Sequence, residues 1–384
     1  MTTSFAAQTI ISPGRVNLLG EHVDYNDGPV MPVAIDLSMT LTFEPLDEDI
    51  IELHALDMGK TSTFRIDDLA DKVNINGEPL AHFALYPASV AWALQQAGFS
   101  VAGMRAVYTS DIPIGSGLSS SAAVEVGFAQ AFMALGGWDA DKMTLVKLAK
   151  KGENEYVGVN SGIMDQFACM FGQENHALYL DTKNLSWESL PLPQDVAIIV
   201  ADSNISRELA DSAYNARQQA CADAVGKLRG FLPGISSLRD VTVDDFERYK
   251  DQFPQKVCLR AQHVVEEIAR VEKAALLLKE GDIKSFGELM IAGHASLRDL
   301  YEVSLPELDA LVEIALEQPG CYGARLTGAG FGGCTVNLVQ EEKSAEFILA
   351  LKAGYEQRTG KRAKLYPCRA AQGAHLLPKA LLSI

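Results

Sequence analysis

Basic residues are scarce in this 384-residue chain: 33 Lys and Arg stand against 50 Asp and Glu, a formal net charge of −17. A field of that sign repels nucleic acid and anionic membrane surfaces, so any anionic ligand needs a local positive site or a metal ion. No apolar run approaches the ~20 residues that cross a bilayer as a helix. The six cysteines form no C-x-x-C pair, and a chain of this length needs no disulfide staples, so reduced thiols in a cytosol are expected. The opening segment lacks a basic start followed by an apolar stretch, so no signal peptide is expected and the predicted location is cytoplasmic. Low-complexity tracts and solenoid-period repeats are also missing. What is present is a composition 48% hydrophobic and 22% charged, ample for a core and long enough for two domains.

Residues 29–57 alternate and are rich in Val, Ile and Leu, with a break at Asp47-Glu48-Asp49, which predicts strands and hairpins. A helix is predicted over Leu85–Gln96, ending near Gly98, and a strand over Met104–Tyr108. Behind the glycine- and serine-rich turn at 113–121, Val124, Phe128, Phe132 and Leu135 form one helical stripe closed by Gly136-Gly137. Residues 141–157 and the stretch after Gly162 read as helical, and 177–181 and 195–201 as strands. From Ser206 onward long helical patterns dominate, at 206–229, 258–279, 283–299 and 305–317. Strands follow at 323–327, 333–338 and 363–367, with a helix at 342–358. Mixed strands, then helices, then a return to strands predicts an α+β fold with two lobes, the boundary falling within 175–195.

Two phosphate motifs fail on context. Gly59-Lys60-Thr61 resembles the end of a P-loop, but the position of its first glycine holds His54 and no helix follows. Gly328, Gly330 and Gly333 fit G-x-G-x-x-G but lie between two strand patterns, where a dinucleotide fingerprint needs a helix.

Three segments carry chemistry. Ser12–Gly28 crowds Arg15, Asn17, Glu21, His22, Asp24, Asn26 and Asp27 among glycines. It reads either as a polar surface hairpin turning on Asn-Asp-Gly or as a polyol site, since carboxylates, an imidazole and a guanidinium can hydrogen-bond several hydroxyls at once. Pro113–Glu125 runs from a glycine turn through Ser119, Ser120 and Ser121 into a helix. Glycines admit a phosphate close to the backbone, and the unpaired N–H groups of the new helix favour negative charge. A serine-capped helix after an ordinary loop is the plain alternative. In Ser161–Gln166, preceded by Glu153, Asp165 sits in an otherwise apolar stretch at the expected first turn of a helix, either as a cap-region aspartate or as a carboxylate held ionised by the dipole.

Together these segments resemble the GHMP kinase superfamily, and Gly14–Tyr25 matches the galactokinase signature throughout. Pro113–Ala123, Glu153–Gln166 and Thr327–Cys334 resemble the family's other blocks, in the family's order. The resemblance implies a two-lobed GHMP kinase fold, each lobe a mixed or antiparallel sheet with helices and the active site in the cleft between them. It implies an N-terminal domain over 1–180 and a C-terminal one over 181–384, the extreme C-terminus packing back on the first lobe. The implied reaction is transfer of the γ-phosphate of ATP to the anomeric 1-OH of galactose, giving galactose 1-phosphate, the first committed step of galactose catabolism (the Leloir pathway). Carried over by position, Asp165 accepts or orients the proton of the 1-OH and Arg15 stabilises the transferring phosphoryl. Glu21, His22, Asp24, Gly162 and Tyr214 match the sugar contacts. Gly115, Ser116, Gly117, Leu118, Ser119, Ser120 and Ser121 match the nucleotide loop, with Ser121 and Glu153 at the positions that hold Mg²⁺. Galactose and ATP are thus the expected partners, with no nucleic acid or membrane, in a monomer or weak oligomer. Relatives usually carry some twenty more residues before Ser12, and Leu85-Tyr86 stands where the family often reads Asn-Tyr, so no adenine contact is assigned.

Sister sugar-1-kinases acting on N-acetylgalactosamine, arabinose or galacturonate are the nearest alternative; no added cation for such groups is evident. Mevalonate and homoserine kinases lack the Glu-His-x-Asp-Tyr cluster. A non-catalytic sugar sensor of this family loses the Ser-Ala step of the phosphate loop, and Ser121-Ala122 is present here.

Overall fold

The computed structural model describes residues 7–205 and 210–378. The chain opens with β1 (Gln8–Asn17), β2 (Pro29–Val30), β3 (Pro32–Pro45), β4 (Ile50–Ala55) and β5 (Lys60–Arg65), then α1 (His82–Gln96) and β6 (Met104–Ser110). It continues through α2 (Ser120–Gly136), α3 (Lys142–Lys151), α4 (Met164–Phe171), β7 (His176–Asp181), β8 (Trp187–Pro191) and β9 (Val196–Asp202). Next come α5 (Ala210–Leu228), α6 (Val243–Tyr249), α7 (Gln255–Glu280), α8 (Ile283–Asp299) and α9 (Pro306–Leu316). The last elements are β10 (Cys321–Thr327), β11 (Cys334–Gln340), α10 (Ser344–Thr359), β12 (Lys364–Cys368) and β13 (His375–Leu376).

Among the described residues the strands form three sheets. The first has the order β13-β1-β3-β6-β4-β5, the second β10-β11-β9-β12 and the third β2-β7-β8. All pairings are antiparallel except β4 with β6. Helices α2 and α4 pack on β1 and β3, while α8 and α9 cover β10. One apolar core runs from Ile10 and Phe43 through Phe128 and Phe132 to Val264 and Phe286; a smaller one lies under Phe347, Leu351 and Tyr355. The predicted stripe on α2 accordingly points inward, with Phe128 and Phe132 fully buried and Val124 and Leu135 at its margin.

The long periodic helices and the strands from β3 onward that carry an apolar pattern fall where the pattern put them. The predicted helix at 206–229 begins among residues outside the described ones and is seen as α5. Five elements, β1, β5, β8, α6 and β13, escaped the sequence reading. The predicted helix at 141–157 is α3 followed by one π-helical turn over Gly152–Val157. Gly59-Lys60-Thr61 forms the tip of the β4–β5 hairpin, and Gly328–Gly333 joins β10 to β11 with no helix after it. All six cysteines are free. Among the described residues no helix is long and apolar enough to cross a membrane.

Candidate active site

The site is assembled from β1, the loop before α2 and the start of α4. Arg15 lies near the end of β1 and is buried. Its Nε donates to Asp165 Oδ1 at 2.8 Å and its Nη2 to Asp165 Oδ2 at 2.7 Å, a two-pronged charge-assisted pair. A third donor, Nη1, reaches the Gly117 carbonyl, and the Arg15 backbone N–H donates to Leu118 O at 3.1 Å. This close passage explains Gly14: a Cβ there would stand 2.6 Å from Leu118 O. Asp165 occupies the first turn of α4, as predicted, and its side chain keeps 30% of its surface exposed. One edge of the carboxylate therefore remains open to a reacting group.

The glycine–serine loop turns through Gly115 (φ 73°), Gly117 (φ 83°) and Ser119 (φ 60°) before α2 begins. Its hydroxyls are not equivalent. Ser116 Oγ donates back to Pro113 O at 2.7 Å and its backbone N–H reaches the same carbonyl at 3.4 Å, so this residue holds the turn. The Leu118 side chain is buried in the core. Ser119 stands at the N-cap position but makes no side-chain cap; its hydroxyl donates to Asp165 Oδ2 at 2.5 Å. The plain serine-cap alternative is thereby set aside. Ser120 and Ser121 are half-buried in the first turn of α2, the end of a helix that favours negative charge.

Behind this loop lies a buried polar network. Glu153, in the π-helical turn, accepts from Gln166 Nε2 at 2.9 Å and from the Ser161 hydroxyl. The same Gln166 nitrogen donates to Glu125 Oε2 at 2.9 Å, one turn along α2 from Ser121. Burial, reinforced by Glu153, pushes the Glu125 carboxyl well above its usual range, and burial also raises Glu153. The Ser121 hydroxyl and the Glu153 carboxylate are oxygen donors of the kind Mg²⁺ prefers, since that ion takes few protein ligands and completes its shell from phosphate and water.

The polar segment Ser12–Gly28 is no surface hairpin: Arg15, Asn17, Glu21, His22 and Asn26 are all buried. Glu21 pairs with Arg325 of β10 inside the protein, and burial raises its carboxyl to about 7. His22 adopts φ 64°, and its Nε2 donates to the Ala329 carbonyl at 3.1 Å, which leaves Nδ1 to accept the Tyr25 hydroxyl at 2.9 Å. The imidazole thus also anchors the Gly328–Gly333 loop. Asp24 Oδ1 accepts the Tyr25 N–H at 3.0 Å, and its other oxygen abuts Gly162, where a Cβ would fall 1.6 Å away. Burial, then the negative neighbour Asp165, lifts Asp24 to about 6. The Tyr214 ring lies 5.4 Å from the His22 and Tyr25 rings; burial, then Asp24 and Asp165, raise its phenol well above the normal range.

Three residues of this architecture went unread in the sequence: Glu125, Glu267 and Arg325. Each carried a visible signal, being a charge on an apolar face: Val124-Glu125-Val126, Glu267 in the Val264–Ile268–Val271 stripe, and Ala324-Arg325-Leu326.

The geometry agrees with what the chain is similar to. Residues 3–45 match the galactokinase galactose-binding signature, 86–173 the GHMP kinases N terminal domain and 274–357 the GHMP kinases C terminal domain. The chain is 45% identical over 362 residues to a galactokinase of Roseiflexus sp., covering 94% of this chain and 91% of that one. It is 41% identical, over the same shares, to a galactokinase of Chloroflexus aggregans. Among solved structures it superposes on Lactococcus lactis galactokinase complexed with galactose with a TM-score of 0.91 at 34% identity, covering 97% of this chain and 95% of the other. These matches span nearly its whole length, and the chain belongs to the galactokinase family of the GHMP kinases.

Proposed function

We propose that this protein transfers the γ-phosphate of ATP to the anomeric hydroxyl of galactose. The observation that carries the reading is the Arg15–Asp165 pair at the mouth of the serine loop, inside a chain of the galactokinase family. Phosphoryl transfer asks a protein chiefly for positioning and charge stabilisation. Asp165, with one edge open, is placed to take or orient the proton of the 1-OH as the oxygen attacks phosphorus. Arg15 holds that carboxylate in two places and offsets negative charge growing on the phosphoryl oxygens. Glu21, His22, Asp24, Gly162 and Tyr214 are the proposed sugar wall. Gly115, Gly117, Ser120, Ser121 and the backbone of Ser116, Leu118 and Ser119 are the proposed nucleotide cradle.

Ser121 and Glu153 would hold Mg²⁺, whose bound charge neutralises phosphate oxygens. Among the described residues no three His, Cys, Asp or Glu gather to hold an ion alone, in keeping with a cation shared with nucleotide. Two lobes meeting near residue 180, a cytoplasmic location and a monomer or weak oligomer belong to the same proposal.

The test is ADP release with MgATP against a sugar panel. Turnover on galactose above N-acetylgalactosamine, arabinose and galacturonate is expected. Turnover only on another sugar would refute galactose and keep the kinase; sugar binding without any turnover would refute catalysis.

A further inference from the structure

Arg325 is fully buried, and so are the two carboxylates that face it, those of Glu21 and Glu267. Its Nη1 donates to Glu267 Oε1 at 2.9 Å and to the Leu18 carbonyl at 3.3 Å, and its Nη2 forms an ion pair with Glu21. Glu267, on α7, also accepts the Gly20 N–H at 2.8 Å and pairs with Arg270 one turn on. From the same helix His263 Nε2 donates to the Glu21 carbonyl at 3.3 Å, and the Gly328 N–H reaches Glu21 Oε1 at 3.4 Å. Every polar handle named here on Leu18, Gly20 and Glu21 is therefore gripped by β10, α7 or the loop after β10. His22 follows directly, and Asp24 comes two residues later.

Burying an arginine between two carboxylates is a poor way to gain stability, because desolvation cancels much of the attraction and apolar packing would serve as well. Such a cluster does fix geometry: the guanidinium is planar and presents several donors in a rigid fork. We infer that Arg325, backed by Glu267, is the positioning residue for the sugar-binding loop, so that sugar affinity is set by β10 and α7 without either residue touching the sugar. This inference rests on the assignment of Glu21, His22 and Asp24 to the sugar wall.

Gly293 of α8 offers a gentle probe. A Cβ there would lie 2.8 Å from Arg325 Nη1 and 3.2 Å from its Cζ, while every charge of the cluster stays in place. Alanine is also a better helix former than glycine, so Gly293→Ala shifts the guanidinium without stripping the fold. Steady-state kinetics are measured on whichever sugar the wild type phosphorylates, so a failure of galactose itself does not decide this question.

The expected result for Gly293→Ala is a KM for sugar raised about 5- to 10-fold with kcat and the KM for MgATP within about twofold, since loss of positioning without loss of transition-state contacts appears in KM. Arg325→Lys, whose compact ammonium lacks the planar fork that spans Glu21, Glu267 and Leu18, should raise the sugar KM by on the order of tenfold or more. A direct binding isotherm with the sugar alone should show the same weakening. A lowered melting temperature with sugar KM unchanged in the folded fraction would overturn the inference and leave a structural ion cluster. An unchanged isotherm for a folded Gly293→Ala would overturn it equally, even where Arg325→Lys fails to fold.

Discussion

Asp165 is held by donors from two directions, the Arg15 fork and the Ser119 hydroxyl. In the proposed mechanism its charge is what matters, so Asp165→Asn should lower kcat by at least ~10²-fold, the usual size of a general-base contribution. Ser119→Ala removes one hydrogen bond to a charged group, about 1.5–3 kcal/mol, and should lower kcat roughly 10- to 100-fold. Because the hydroxyl acts through the carboxylate, the double variant should be little worse than Asp165→Asn alone. Additive losses in that kinetic cycle would assign Ser119 a separate role on the nucleotide. Asp24 gives a pH signature. Its folded-state value of about 6 lies above the ordinary 3.8, so the folded protein keeps the proton over a range where the unfolded chain has released it. Stability therefore falls as pH rises from about 4 to about 6 on account of this group. Asp24 is partly open by surface area, so the effect should be about 1–3 kcal/mol. Urea midpoints at pH 4.5 and 7.5 should show Asp24→Asn gaining on the wild type at the higher pH; a constant difference would mean that Asp24 is ionised throughout.

At the scale of elements, α8 lies on β10 through two glycines. A Cβ on Gly287 would stand 2.0 Å from Tyr322 O, and one on Gly323 would stand 2.5 Å from Gly287 O. Alanine normally helps a helix by about 0.5–1 kcal/mol, but here it must push the helix and strand backbones apart, so Gly287→Ala should give a net loss of about 1–3 kcal/mol in urea denaturation. A midpoint at or above wild type would show that α8 slides freely on the strand. Such contacts mark where sequence reading stops. The long helices were legible because their apolar stripes persist over several turns, as in Phe128 and Phe132 of α2. Strand β5 was not, because Lys60–Arg65 carries little apolar alternation, and β13 is two residues whose partner lies at the other end of the chain. The serine loop was legible as a glycine turn running into a helix, because its glycines and serines stand together in the sequence. That its Ser119 points at Asp165, and that Arg15 meets Asp165 across 150 positions, depends on packing among β1, α2 and α4, which no local pattern encodes. That Glu21 is paired inside the protein was hidden for the same reason: its buried partner Arg325 comes from 304 residues downstream, on a different sheet.

For the molecule as a whole, the decisive connection is made by the last described residues. After β12 the chain leaves the second sheet and crosses to the first. Ala371 N–H donates to Ala34 O at 2.9 Å, Gly373 N–H to Gly172 O at 2.7 Å and Ala374 N–H to Cys169 O at 2.7 Å. Gln130 of α2 then caps the Ala374 carbonyl at 2.7 Å, and β13 pairs with Ile10 and Ile11 of β1. This segment covers the edge of β1 and satisfies carbonyls at the C-terminal end of α4, the helix whose first turn carries Asp165. A chain ending at Arg369 would leave that edge unpaired, a template for association, and would strand the Cys169 and Gly172 carbonyls. The four hydrogen bonds named with distances, at about 1 kcal/mol each, together with the lost β13 pairing and the buried acceptors left without partners, predict a loss of about 4 kcal/mol or more. Because α4 positions the reacting carboxylate, kcat should fall in the fraction that remains folded, while light scattering rises with protein concentration. A truncated chain with wild-type urea midpoint and kcat would mean that the first sheet and α4 hold their geometry unaided. Loss of stability with kcat intact would confine the segment's role to covering the β1 edge.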